Sequence, residues 1–140
     1  ILGQTIVDDK KEDIAQAVLS YIGKGADIVV CTGGMSVDPD DCTPGAIKST
    51  GAEIVTYGAP VLPGAMLLLA YYDYKGKKIP VLGLPGCVMY AKRTIFDLIL
   101  PRIMADEKVN KSDIDKLGQG GLCLNCDVCT FPNCGFGKGN

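Results

Sequence analysis

The sequence predicts an α/β protein, a three-layer αβα arrangement on a mostly parallel sheet, followed by a short Cys-rich C-terminal metal-binding tail. Three observations carry that expectation. Segments of helical period alternate with short β-branched runs through about residue 105, the pattern of an open sheet with helices on both faces. The run Ile28-Val29-Val30-Cys31 lacks polar alternation, so it reads as a strand covered on both sides, as in parallel sheets. Both glycine-rich turns, "TGG" at 32–34 and "GLPG" at 83–86, follow a predicted strand and precede a predicted helix. Ligands of such sheets bind beyond the carboxyl ends of the strands.

Taken in order, Asp9 and Glu12 have capping-box spacing, and Ile14, Ala17, Val18, Tyr21 and Ile22 recur with helical period. They predict an amphipathic helix from about Lys10 to Ile22, ended by Gly23 and Gly25. After the strand and its glycine-aspartate loop, Thr43 is the expected N-cap and Pro44 the first residue of a helix that Gly51 terminates. Glu53 to Tyr57 reads as a strand. A loop with Gly58, Pro60, Pro63 and Gly64 leads to Ala65–Tyr72, strand-like although its leucines and Met66 permit a helix. "DYKGKK" is a turn, and Ile79 to Leu82 a buried strand. "GLPG" breaks that strand and opens a helix through about Leu100 with Val88, Ala91, Ile95, Leu98 and Ile99 on its apolar face, which Pro101 ends or kinks. The chain then turns polar, which sets the expected boundaries: residues 1–105 one domain, 106–121 a polar linker, 122–140 the tail.

Composition narrows the function classes. Fourteen basic against sixteen acidic residues, with no basic block, argue against a nucleic-acid surface. No apolar stretch approaches the ~18 residues of a membrane span. Histidine is absent, which leaves carboxylates, thiols, lysines and backbone groups to carry chemistry. Seven cysteines, four of them crowded near the C-terminus, do not form an even disulfide framework and fit a reducing cytoplasm.

The stretch "CTGGMSVDPDDCTPGAI" is the main candidate site. Gly33 and Gly34 allow positive φ and close backbone approach, and the Thr32 and Ser36 hydroxyls can donate to phosphate oxygens. A strand-to-helix turn that merely needs glycine is the plain alternative. Asp38, Asp40 and Asp41 follow within four residues. One could complement the helix dipole, but three repel one another, a cost that Mg²⁺ bridging carboxylate and phosphate would relieve.

Four cysteines, Cys123-x2-Cys126-x2-Cys129-x4-Cys134, have the density of a metal site. The two C-x2-C steps favour an iron–sulfur cluster over Zn²⁺, with disulfides or free thiols as the alternative. Cys87, at the start of the last helix, would have a lowered thiol pKa if the dipole dominates, or be a small buried filler. Lys75, Lys77 and Lys78 could meet phosphate or simply be solvated.

The motif TGG-x6-D-x-T-P, with "GLPG" and the helix "RTIFDLILPRI", resembles the molybdopterin-binding domain of molybdenum-cofactor biosynthesis proteins and competence/damage-inducible proteins, over roughly residues 1–105. The resemblance implies that Thr32, Gly33, Gly34 and Ser36, with Pro85 and Gly86 opposite, surround the phosphate of molybdopterin. It implies that Asp41, with Asp40 beside it, supports adenylyl transfer or molybdate insertion with Mg²⁺. "GAPVLPGAM" resembles the family segment that closes over the ligand. Met35-Ser36-Val37 and Cys87-Val88 depart from the family pattern at loop positions tied to catalysis more than to binding. The family's first strand and helix have no counterpart before Ile1, which predicts an exposed sheet edge unless upstream chain supplies them. The expected function is molybdopterin binding in cofactor biosynthesis, as a transferase if enzymatic. A non-catalytic cofactor carrier or sensor and a nucleotide-pyrophosphate hydrolase are the alternatives. A molybdoenzyme or biosynthetic partner and a homo-oligomer are implied by the same resemblance.

Overall fold

A computed structural model describes residues 1–139; Asn140, the last position of the expected tail, lies outside the described residues. Helix α1 (Lys11–Gly23) buries Ile14, Val18 and Ile22, as its periodicity required. Its N-cap is Lys10, with no side-chain cap, so the expected Asp9–Glu12 capping box is not formed. Glu12 and Asp13 in the first turn favour the helix through its dipole instead. Strand β1 (Val29–Thr32) leads to α2 (Thr43–Ser49), in which Thr43 is already the first helical residue and Cys42 the cap.

Strands β2 (Glu53–Tyr57), β3 (Leu68–Tyr74) and β4 (Lys77–Leu84) complete a four-stranded sheet of order β1-β4-β3-β2. β1 is parallel to β4, whereas β3 is antiparallel to both its neighbours. The sheet is therefore mixed, a correction to the mostly parallel expectation. Its cause is local. Only Lys75 and Gly76 join β3 to β4, both with positive φ, 51° and 81°. Two residues in that conformation make a hairpin, because a parallel return needs a crossover of about a dozen residues or more. β1 is an edge strand, and Val30 is 44% exposed, so the apolar run is not covered on both faces.

Side chains alternate across the sheet into two cores. Leu68, Ala70, Ile79 and Val81 face α1 and α2 with Val18, Ile22 and Ile47. Leu69, Tyr71, Leu82 and Leu84 face the other way, onto Ile95, Ile99 and Ile103 of α3 (Ile95–Met104). The result is consistent with an αβα layering.

The single helix expected from "GLPG" to Leu100 is instead a 3₁₀ turn, Gly86–Met89, followed separately by α3. Thr94 starts that helix with a capping box: its hydroxyl oxygen accepts from Phe96 N at 3.1 Å, and the Asp97 carboxylate accepts from Thr94 N at 2.8 Å. The helix continues past Pro101 to Met104, where burial of Ile103 holds its last turn against the core.

The stretch expected as a polar linker carries α4 (Lys111–Lys116), capped by Asn110 and Asp113. Val109 and Ile114 are fully buried in the α3 core, together with Phe136 from the tail. Val109 N donates to the Tyr71 hydroxyl at 2.9 Å. The Arg102 guanidinium pairs with Glu107 and, at 3.2 Å, with Asp113, joining α3 to α4. These bonds hold both carboxyls below their ordinary range, Glu107 chiefly through the Arg102 hydrogen bond and Asp113 chiefly through the Asn110 backbone N–H.

Candidate functional site

The loop after β1 is shaped by its glycines and fastened at one point. Gly33 and Gly34 have φ of 84° and 60°, the left-handed region that glycine enters without penalty. Any Cβ at Gly34 would stand 2.8 Å from Thr43 Oγ1. Thr43 ties the loop shut: its hydroxyl donates to Gly33 O at 2.8 Å and its N–H to Gly34 O at 3.3 Å. These bonds take the glycine carbonyls rather than their N–H groups. Further along, the Asp38 carboxylate accepts from Asp40 N and its carbonyl from Asp41 N, each at 3.0 Å. Asp38 is thereby a turn former.

Ser36 Oγ donates to Asp41 Oδ2. Tyr57, on β2, directs its hydroxyl at the carbonyls of Met35 and Ser36 over long contacts of 3.4 Å. Burial first, and the Asp41 charge second, push the Tyr57 phenol above its ordinary pKa. The phenol thus stays a neutral donor beside an acidic loop.

A cleft of about 460 Å³ opens next to this loop. Ser36 lines one side, Pro85 and Gly86 another, and Pro63 and Gly64 of the "VLPG" loop a third, with Tyr90 at the rim. Gly64 has φ 119°, and a Cβ there would lie 2.5 Å from Ile95 Cγ2, so only glycine lets this loop lie against the start of α3. The structure thus brings Ser36, Pro85 and Gly86 together. Thr32, Gly33 and Gly34 do not line the cleft. Asp40 is exposed and outside it, and Asp41 reaches it only through Ser36.

Several cleft residues escaped the sequence. Met35, 3% exposed, plugs the loop onto the sheet above Gly83, where an added Cβ would stand 2.5 Å from its sulfur. Leu122 and Cys123 of the tail form part of the wall, because Leu62 N donates to Gly121 O at 2.6 Å and Cys123 N to Leu62 O at 2.8 Å. No local pattern announces such long-range bonds. Cys87 lines the cleft, but burial raises its thiol pKa, so the expected dipole lowering does not prevail. Lys77 pairs with Asp27 and Lys78 with Asp73, and neither they nor Lys75 line the cleft.

The four tail cysteines border a second, smaller cavity of about 100 Å³. Cys123 and Cys134 are half-buried, Cys126 and Cys129 exposed, and all are unpaired. Among the described residues, no three Cys, Asp or Glu side chains stand together as a metal site requires, at the tail or at Asp38, Asp40 and Asp41.

The family model described as "Probable molybdopterin binding domain" matches residues 1–105 of the 140. The chain belongs to the molybdopterin-binding domain family. Among curated proteins, none matches it significantly. Membership connects the molybdopterin-binding domain to a pterin-type small molecule and to a general role in molybdenum-cofactor biosynthesis. The matched residues include the glycine loop, the "VLPG" loop, the "GLPG" turn and α3, and stop before α4 and the four tail cysteines. No helix among the described residues is long and apolar enough to cross a membrane.

Proposed function

We propose that the chain binds molybdopterin in the 460 Å³ cleft and serves cofactor maturation by presenting it for molybdate insertion or adenylyl transfer. One observation carries the reading: in a chain of this family, Ser36 of the first glycine turn and Pro85-Gly86 of the second line the same cavity. Its volume lies in the range of small-molecule sites, roughly 300–1,000 Å³. The apolar walls from Pro63, Met66 and Tyr90 suit a flat pterin ring, and the Ser36 hydroxyl suits a phosphate oxygen once it exchanges its bond to Asp41 for one to the ligand. Thr32, Gly33 and Gly34 extend the phosphate end with backbone N–H groups and a hydroxyl.

In this reading Asp41, with Asp40 beside it, holds Mg²⁺ against the phosphate, and the cation relieves the repulsion among three neighbouring aspartates. Positioning and charge neutralisation then supply the catalysis, which needs no general base. Seven unpaired thiols suit a reducing compartment such as the cytoplasm. Homo-oligomers and a molybdoenzyme or biosynthetic partner belong to the same reading through the family resemblance.

A non-catalytic carrier is the second reading, favoured by the Ser36 bond that occupies Asp41 and by the exposed position of Asp40. Purified chain is titrated with molybdopterin and its adenylylated form, with and without Mg²⁺, and assayed in parallel for ADP-ribose hydrolysis. Binding weakened at least tenfold by Ser36→Ala, with turnover abolished by Asp41→Asn, supports the enzyme. Tight binding indifferent to Asp41→Asn supports the carrier, and hydrolysis of ADP-ribose without pterin binding refutes both.

A further inference from the structure

The cysteine tail lies beyond the family-matched residues, and pterin binding leaves it unexplained. Cys123, Cys126, Cys129 and Cys134 all border one cavity of about 100 Å³. Core filling accounts for Cys123 and Cys134, which pack against the α3 core, but not for Cys126 and Cys129, which are exposed. The segment that carries them is held at both ends. Cys123 N donates to Leu62 O at 2.8 Å, Gly137 N donates to Gly120 O at 2.7 Å, and Phe136 is buried. Between these anchors the chain has no helix or strand of its own. A short irregular loop that sets four thiols around one hollow, still apart as they stand, is what a metal would draw together.

Two cationic side chains, Arg93 and Lys92, border the same cavity. Arg93 lies over the Phe131 ring at 5.2 Å and borders the cavity, and its Nε is buried with no hydrogen-bond partner. An orphaned buried donor is unfavourable, and a thiolate sulfur would accept from it. Lys92 Nζ donates to the Cys126 carbonyl at 3.2 Å, which brings a second cation to the rim. Four thiolates around a divalent cation carry two negative charges in excess, and these two side chains oppose them.

We propose that the cavity is a thiolate metal site, in which Cys123, Cys126, Cys129 and Cys134 close on zinc or on the irons of an iron–sulfur cluster. Each thiol releases its proton to solvent and forms one sulfur–metal bond, with no change in oxidation state. Closure draws the exposed Cys126 and Cys129 inward. Since Cys123 lines both this cavity and the 460 Å³ cleft, the metal shares a wall with the ligand.

The full chain, purified anaerobically, is analysed for zinc, iron and acid-labile sulfide as isolated, after incubation with Zn²⁺, and after incubation with Fe²⁺ and sulfide. About one zinc per chain without colour identifies a zinc site, and matched iron and sulfide with a broad visible band identify a cluster. Cys126→Ser and Cys129→Ser, both at exposed positions, each lower the content at least about tenfold, no less than loss of a ligand's supporting partner does. Cys42→Ser leaves it unchanged. Wild-type chain that stays metal-free under all three treatments overturns the proposal, as does metal retained in either tail variant. Metal content is read on the chain itself, so failure here is distinct from failure to bind pterin.

Discussion

At the end of β1, Gly33 sits at φ 84° with no other atom within 4 Å of where its Cβ would be, whereas Gly83, near the end of β4, has an ordinary backbone and no room at all. The first glycine is there for its conformation and the second for its missing side chain. Met35 connects them: it follows the first turn in sequence and occupies the space that Gly83 leaves, beside Leu68. Two turns that both read as phosphate loops are therefore not equivalent. The β1 turn leaves open space at Gly33, while the first half of "GLPG" is strand, and only Pro85-Gly86 borders the cleft.

Gly83→Ala tests the contrast most severely. Overpacking against Met35 and Leu68 is expected to lower unfolding free energy by about 1–3 kcal/mol. Placed in a Met35→Ala background, the same change should cost much less, and a denaturant-based double-mutant cycle measures that coupling. An additive result would break the claim that Met35 and Gly83 share one space.

A smaller loss, about 1–2 kcal/mol, is expected for Gly33→Ala, because an L-residue there must adopt a left-handed backbone. Its cost should be the same in the wild-type and Met35→Ala backgrounds. Coupling to Met35 would show that the first turn is also a packing turn.

The smallest effect is alkaline. Burial pushes the Cys31 thiol, next to Thr32 on β1, up to about 11. A raised folded pKa means that the stabilisation is complete below the unfolded value near 9 and is lost as pH climbs through about 11. Wild-type unfolding free energy should fall by about 1 kcal/mol between pH 8 and about pH 9.5 through Cys31, and Cys31→Ala should remove most of the decline, leaving the smaller part due to Cys87.

Much of this architecture was legible because it is local. The periodicity of Ile14, Val18 and Ile22, the β-branched run before Thr32, and the turn chemistry of Gly51 and Gly76 each specify their element within a few residues. The split of the last helix was also present, as Thr94 and Asp97 at capping-box spacing, but the apolar residues on either side masked it. Strand direction was less visible, since buried β-branched runs occur in both sheet types and only the two-residue Lys75-Gly76 connection decides between them. Val109 and Ile114 are single apolar residues among charges, and nothing nearby in sequence shows that Tyr71 and Ile99 await them. The site divides the same way. Ser36, Pro85 and Gly86 follow from turns, whereas the Cys123 wall exists only because two strangers in sequence, Leu62 and Leu122, pair.

That Leu62–Leu122 bridge has a practical corollary for anyone trimming this polypeptide. An expression fragment truncated at residue 105, where similarity ends, would strip Leu62 of its backbone mate and remove Val109, Ile114 and Phe136 from beside Ile99 and Ile103. The family-matched segment is thus shorter than the packed core to which it belongs.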